Sequence, residues 1–292
     1  MTAELIRGAP IAGALRREVS AAVEAAALTP RLVNVVVGDA GASAAYLNAM
    51  DKAAAKRGIE SRRTELPADV NQAALAEAVI ELSHDPAVHG LMIQLPLPKG
   101  LDAGAVTALI PAAKDVDGLT RDSLGAVLAG ERRHTAPATA AAVVEMLCSD
   151  ERFSPAGRHV VIVGRSLVVG RPLAAMLGGY GSGGDATVTI CHSRTPDLAS
   201  HTRSGDIVVM AVGVKHLLTP EMVTPGAIVI DVGTHAVEVD GRWTLTGDVH
   251  PDVAEVAGYL TPVPGGVGTV TTSILMRHVA AAALPGALSA AW

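Results

Sequence analysis

Between residues 160 and 177 the chain reads VVIVGRSLVVGRPLAAML. An apolar run stops at Gly164, a turn holds Arg165 and Ser166, and Gly170 opens a helical pattern with Pro172 near its first turn. Glycines at such a turn permit close backbone approach, and a helix N-terminus offers unsatisfied N–H groups to an anion, so the chemistry implied is phosphate binding. The spacing is GxSxxxG rather than GxGxxG, and by itself it also fits a plain strand–turn–helix connection. The next apolar run sharpens the choice. In NAD-binding proteins the end of that strand carries an acid for the ribose 2′-hydroxyl. Here the end reads ICHSRT, with His192, Ser193 and Arg194 and no carboxylate, while Asp185 stands at the opposite end. A hydroxyl and a guanidinium, joined by Arg165, suit a 2′-phosphate through charge-assisted bonds, so NADP is expected over NAD. Solvated surface charge is the competing reading for both arginines. Gly213, ending the following apolar run, is placed with the same cofactor-binding residues.

A second stretch, AAYLNAMDKAAAKRGI (44–59), reads as one amphipathic helix with Tyr46 near its start and Met50 one turn later. Residues 46 and 50 are about 40° apart around such a helix and share a face. Apolar runs at 32–39, 62–69 and 90–98 alternate with helical patterns at about 11–26, 46–57, 72–84 and 102–110, which argues for a mostly parallel sheet. Residues 111–123 read as a polar loop. After a helix at about 138–148, runs at 158–164, 186–193, 206–213 and 226–233 are Val/Ile-rich and bounded by Gly, as strands buried on both faces would be. A last helix is expected at about 269–284. The fold class is therefore α/β, with two α/β domains, the second Rossmann-like. The division expected is 1–140 for the first and 141–268 for the nucleotide.

The bulk properties narrow the function classes. The 292 residues are 49% hydrophobic and only 2% aromatic, and the net charge of −6 includes no block of like charge, so nucleic acid is not an expected partner. No apolar run is long enough for a membrane span, and no secretory h-region opens the chain. Cys148 and Cys191 have no metal-ligand spacing, so no metal and no disulfide are expected, and a reducing cytoplasm is.

Several blocks together resemble the methylenetetrahydrofolate dehydrogenase/methenyltetrahydrofolate cyclohydrolase family: VGDAGASAAY (37–46), GLMIQLPLPKG (90–100), PAAKDVDG (111–118), VGRSLVVGRP (163–172), GAIVIDVG (226–233), GDVH (247–250) and TPVPGGVG (261–268). The resemblance implies that the two α/β domains form a cleft, that the C-terminal helix (269–292) returns to the first domain, and that the protein is a homodimer binding NADP and tetrahydrofolate one-carbon derivatives. It implies that Asp117 holds the pterin, Tyr46 stacks on the aminobenzoyl ring, and Gln94 partners a catalytic lysine, with Leu95 and Pro96 beside it. Pro264, Gly265 and Gly266 then match a loop closing on the substrate. Elementary chemistry agrees: a heteroaromatic with amide-like edges suits a carboxylate and a flat face, and a loop without side chains lets backbone approach a ring. Singly, Asp117 could be a turn residue, Tyr46 a core aromatic and Gln94 a surface amide.

The family pattern Tyr-x-x-x-Lys requires a lysine where Met50 stands, and Lys52 and Lys56 lie on other faces of the helix. Methionine can neither carry nor relay the proton that the cyclohydrolase step needs. Further departures follow: HTAP (134–137) replaces PCTP, putting Ala136 at a threonine position, Thr269 replaces a proline, and Thr234 stands where an Ile commonly flanks the cofactor. The expected function is an NADP-dependent methylenetetrahydrofolate dehydrogenase with impaired or lost cyclohydrolase activity. The alternatives are a full bifunctional enzyme using His134 or a water chain, a non-catalytic folate- or NADP-binding paralogue, and an enzyme for an altered one-carbon substrate.

Overall fold

The structure, a computed structural model, describes residues 2–39, 41, 44–239, 242–289 and 292. Ala40, Ala42 and Ser43 of the 37–46 block therefore lie outside the described residues. In chain order the elements begin with β1 (Glu4–Leu5), α1 (Gly8–Ala25), β2 (Arg31–Val37), α2 (Ala44–Ala55), β3 (Glu60–Leu66), α3 (Gln72–His84) and β4 (Gly90–Ile93). They continue with α4 (Ala103–Thr107), α5 (Arg121–Ala129), α6 (Ala138–Leu147), β5 (His159–Val163), α7 (Gly170–Gly178), β6 (Thr187–Cys191) and α8 (Leu198–Arg203). The remainder are β7 (Ile207–Met210), β8 (Ile228–Asp231), β9 (His235–Val239), β10 (Arg242–Thr246), β11 (Tyr259–Leu260) and α9 (Val267–Ala283).

Two compact units result. One comprises Ala14–Ala126, Glu131–Ala138 and Thr272–Trp292, and holds a parallel sheet in the order β3-β2-β4. Its central strand, RLVNVVV, buries five consecutive residues, as a strand covered on both faces must. Val33, Val35, Leu91 and Ile93 pack with Leu75 and Val79 of α3 and Val106 of α4. α3 starts where Asn71 accepts a hydrogen bond from the Ala74 N–H, which satisfies one of the free donors of its first turn.

The other unit comprises Met1–Gly13, Val127–Gly130 and Thr139–Thr271. Its six-stranded parallel sheet has the order β1-β11-β8-β7-β5-β6, and a separate hairpin pairs β9 with β10. From β5 the chain passes to β6 on one side and then to β7 on the other. That reversal creates a crevice at the C-terminal end of β5, the place where doubly wound sheets bind ligands.

Some local expectations need correction. The run at 90–98 forms a strand only to Ile93, because Pro96 and Pro98 have no N–H for a ladder. The polar loop at 111–123 ends early, at the start of α5. The helix expected at 102–110 is regular only over Ala103–Thr107. The short α8 and the β9–β10 hairpin had no apolar periodicity strong enough to announce them.

Candidate active site

In the six-stranded unit, the turn after β5 is built by two steric necessities. Gly164 has φ +133°, and a Cβ there would lie 2.2 Å from the Ala211 carbonyl oxygen. A Cβ on Gly170 would lie 2.1 Å from the Gly164 oxygen, so the first turn of α7 folds directly onto the loop. Between them the Ser166 hydroxyl accepts from the Val169 N–H at 3.1 Å and the Ser166 carbonyl accepts from the Arg171 N–H at 3.1 Å. The Gly164 N–H donates to the Cys191 carbonyl, which ties this turn to the end of β6. There the His192 ring accepts from the Arg194 N–H at 3.1 Å, and the Thr195 hydroxyl accepts from the His192 N–H at 2.9 Å.

Arg165, Ser193 and Arg194 are exposed, and among the described residues neither arginine has an ion-pair partner. A tight glycine turn at the switch point with two uncommitted guanidiniums fits a phosphorylated dinucleotide. The structure thus brings Gly164, Arg165, Ser166, Gly170, His192, Ser193 and Arg194 together at one end of the sheet.

Gly213 and Thr234 are exposed at the same end, and their placement rests on a network that sequence reasoning missed. Asp248 is fully buried; one carboxylate oxygen accepts from the Val212 and Gly213 N–H groups at 2.8 and 3.0 Å, and the other meets His235 Nε2 at 2.8 Å. Asp231 accepts from the N–H groups of Gly233, Asp248 and Val249, and its carboxyl is pushed up to about 6, chiefly by burial. The only sequence signal was an acid inside each of the blocks DVG and GDVH. In the 264–266 loop, Pro264 and Gly265 are exposed, Gly266 is buried, and the Gly265 carbonyl accepts from the Gly8 N–H at 2.8 Å.

In the three-stranded unit, α2 buries one stripe: Leu47, Met50 and Ala54 have no exposed surface, and Arg57 follows them inward. Tyr46 lies at the edge of that stripe with 41% of its surface exposed. Its phenol is nonetheless pushed up to about 12, first by withdrawal from water and second by the negative charge of Asp117. The two residues lie in the same unit, and Met50, one turn along α2 from Tyr46, carries no charge.

The loop carrying Asp117 is held by its neighbour. The Asp115 carboxylate is buried and accepts from the N–H groups of Gly118, Leu119 and Thr120 and from the Ser123 hydroxyl at 2.6 Å. Gly118 takes φ +71°, and a Cβ there would strike the backbone of Ala136, so this corner admits only glycine. Among the described residues nothing donates a hydrogen bond to the Asp117 carboxylate, which is pushed up to about 7 by burial and then by the charge of Asp115. A half-buried carboxylate with unused acceptors is able to take hydrogen bonds from a ligand.

Gln94, just past β4, donates its own N–H to the Val35 carbonyl and its side-chain amide to the Leu95 carbonyl at 3.0 Å. Leu95 is half-buried and Pro96 exposed beside it. An isolated parallel bridge between Leu91 and Asp115 runs the Asp117 loop alongside β4. His134, in contrast, is exposed and faces Glu131 Oε2 at 3.2 Å. Among the described residues there is no group of three or more His, Cys, Asp or Glu side chains that could hold a metal. No helix among them is long and apolar enough to cross a membrane.

A glycine turn at the switch point of one α/β unit, and in the other a half-buried carboxylate with no donor among the described residues, fit a dinucleotide-dependent enzyme. The comparisons identify which. Residues 6–117 match the family model of the tetrahydrofolate dehydrogenase/cyclohydrolase catalytic domain, and residues 137–285 match that of its NAD(P)-binding domain. The chain belongs to the tetrahydrofolate dehydrogenase/cyclohydrolase family.

Solved structures agree over nearly the whole length. The bifunctional methylenetetrahydrofolate dehydrogenase/cyclohydrolase of Campylobacter jejuni is 33% identical with a TM-score of 0.89, covering 96% of this chain and 98% of that one. The enzyme of Trypanosoma brucei, solved with NADP cofactor and an inhibitor, is 39% identical with a TM-score of 0.87, covering 96% of each chain. A methylenetetrahydrofolate dehydrogenase from the silkworm Bombyx mori is 35% identical with a TM-score of 0.87, covering 96% and 98%.

Proposed function

We propose that this protein is an NADP-dependent 5,10-methylenetetrahydrofolate dehydrogenase whose methenyltetrahydrofolate cyclohydrolase activity is impaired or lost. The observation that carries this is Met50: a neutral, fully buried side chain at the position where the family pattern requires lysine, in a helix whose neighbouring Tyr46 senses Asp117. Hydration of the methenyl carbon needs a group that manages a proton, and a thioether cannot. Bound NADP supplies the hydride acceptor at its nicotinamide.

The chain's own residues do the rest. Asp117 recognises the pterin edge, Tyr46 offers a ring to stack on, and Gln94, Leu95, Pro96 and the 264–266 loop orient the folate. Arg165, Ser193 and Arg194 favour the 2′-phosphate, supporting NADP over NAD. Positive charge develops on the N5–C–N10 unit as hydride leaves, and a neutral residue at position 50 does not oppose it.

A second reading, full bifunctionality through another proton relay, is favoured by one feature: burial pushes the Asp117 carboxyl up to about 7. His134 is a poor relay, being exposed beside Glu131. Homodimerisation rests on the family resemblance, and a reducing compartment on the sequence holding two cysteines only, too few for a disulfide framework.

A two-part spectrophotometric assay decides. It follows NADP-dependent formation of methenyltetrahydrofolate, then decay of added methenyltetrahydrofolate against the spontaneous rate. Formation without accelerated decay is the expected result. Accelerated decay overturns the assignment of a lost cyclohydrolase, and the absence of both activities leaves a binding paralogue or a different one-carbon substrate.

A further inference from the structure

His278 stands in the C-terminal half of α9 with 1% of its surface exposed, in the same unit as the Asp117 loop. Its Nδ1 lies 2.9 Å from the Val116 carbonyl oxygen, across 162 residues of chain. A carbonyl only accepts, so Nδ1 carries the hydrogen and the neutral ring is fixed in that tautomer. Burial, the dominant cause, pushes the imidazole down to about 4, in keeping with a neutral donor. Its Nε2 is buried without a hydrogen-bond partner among the described residues.

Val116 is the residue between Asp115 and Asp117. The Asp115 carboxylate holds the backbone that follows, through Gly118, Leu119 and Thr120. The Asp117 carbonyl accepts from the Ala138 N–H at 3.3 Å. The peptide immediately before Asp117, which sets the direction of its side chain, is fixed from outside the loop by His278. A buried imidazole with one nitrogen left unsatisfied is a costly way to fill a core position, and the bond to Val116 is its visible return.

We propose that His278 is a positioning residue for folate: by holding the Val116 carbonyl it aims the Asp117 carboxylate at the pterin. The inference rests on the proposed function, since it takes Asp117 as the folate-recognition group. His278 touches no substrate and acts through the Val116–Asp117 peptide. Removing the bond therefore loosens folate recognition and leaves the nucleotide turn of the other unit untouched.

The test compares the full-length protein with His278→Leu, which loses the donor, and His278→Asn, which retains one. Tetrahydrofolate affinity is measured calorimetrically under anaerobic conditions, NADPH affinity by fluorescence, and KM and kcat for methylenetetrahydrofolate by absorbance. For His278→Leu the expectation is about tenfold weaker tetrahydrofolate binding and a KM raised by about as much, with kcat and NADPH affinity within about twofold. His278→Asn is expected within about threefold of the parent in every parameter. Should the Leu variant not fold, His278→Ser replaces it under the same criteria, its hydroxyl being too short to reach the carbonyl.

Unchanged folate affinity in the donor-less variant overturns the positioning role. So does a uniform loss of folate affinity, NADPH affinity and kcat in both the Leu and Asn variants. A parent protein that binds NADPH but not tetrahydrofolate overturns the function reading itself, and this inference with it.

Discussion

Replacing Met50 by lysine puts a titratable amine at a position with no solvent exposure, on the stripe formed by Leu47 and Ala54. Two costs compete. Kept charged, the ammonium loses its hydration and is compensated only by whatever carboxylate it reaches, and Asp117 is the candidate because its charge is already felt at Tyr46 one turn away. Kept neutral at pH 7, the amine must give up its proton against an ordinary value near 10.4. That is roughly 3.4 pH units, or about 5 kcal/mol at 1.36 kcal/mol per unit. The cheaper route sets the loss, so Met50→Lys is expected to destabilise the protein by about 3 to 5 kcal/mol and to lower the melting temperature by roughly 10 °C. Met50→Leu, which conserves volume and neutrality, should cost less than about 1.5 kcal/mol.

The functional readout is the decay of methenyltetrahydrofolate. An amine with a lowered pKa can exchange a proton near neutrality, so Met50→Lys should accelerate decay above the spontaneous rate while Met50→Leu does not. Thermal melts of the three proteins and the decay assay on the same preparations give both numbers. A Met50→Lys protein that melts with the parent would show that the site is not closed as described. One that is destabilised yet hydrolyses nothing would refute the assignment of the lost activity to this position, and would direct attention to Ala136, which is itself fully buried.

Other expectations follow from the same geometry. Asp117 is pushed up to about 7 from an ordinary 3.8, so in the free protein its contribution to stability is fully present below about pH 4 and is lost as pH rises through 7. Because recognition of the pterin uses the ionised form, tetrahydrofolate affinity should increase through the same window, and an Asp117→Asn titration should be flat across it. Arg194→Ala should weaken NADP binding by about 10- to 100-fold, the worth of a charge-assisted hydrogen bond, and leave NAD affinity within about threefold, as competitive fluorescence titrations would reveal. Gly170→Ala places a methyl 2.1 Å from the Gly164 oxygen and should weaken NADP binding by more than about tenfold, measured by the same titration.

Much of this architecture is legible in the sequence. The buried strands of both sheets announced themselves as Val/Ile runs, because a strand covered on both faces has no polar side to hide the pattern. The nucleotide turn was readable because glycine is the only residue that tolerates the approach of Gly164 to Ala211 and of α7 to Gly164. What stayed hidden were features whose energetics are non-local. His278 is one residue in an apolar helix until Val116 is seen beside it. His235 and Asp248 are 13 residues apart, and their contact requires the β9–β10 hairpin to fold back. α5 was obscured by the polar loop before it, since the aspartate at 115 that would mark a turn spends its carboxylate on capping the residues leading into the helix.

The two aspartates of KDVDG show how the divide between architecture and chemistry is drawn. They are two residues apart and carry the same group, yet Asp115 accepts four hydrogen bonds, three from its own loop and one from Ser123 of α5, and Asp117 accepts none from the described residues. The satisfied carboxylate stabilises a conformation and is unavailable for anything else. The unsatisfied one remains neutralisable, with its proton held near pH 7 by burial and by the charge of its partner. The same division recurs in the other unit, where both oxygens of Asp248 are committed to holding Val212, Gly213 and His235. A family motif containing an acid therefore marks either a scaffold or a site, and the hydrogen bonds the acid has already made decide which. Position 50 follows the same rule in reverse: a lysine there would have to be paired to be tolerated, and methionine removes both the charge and the demand for a partner.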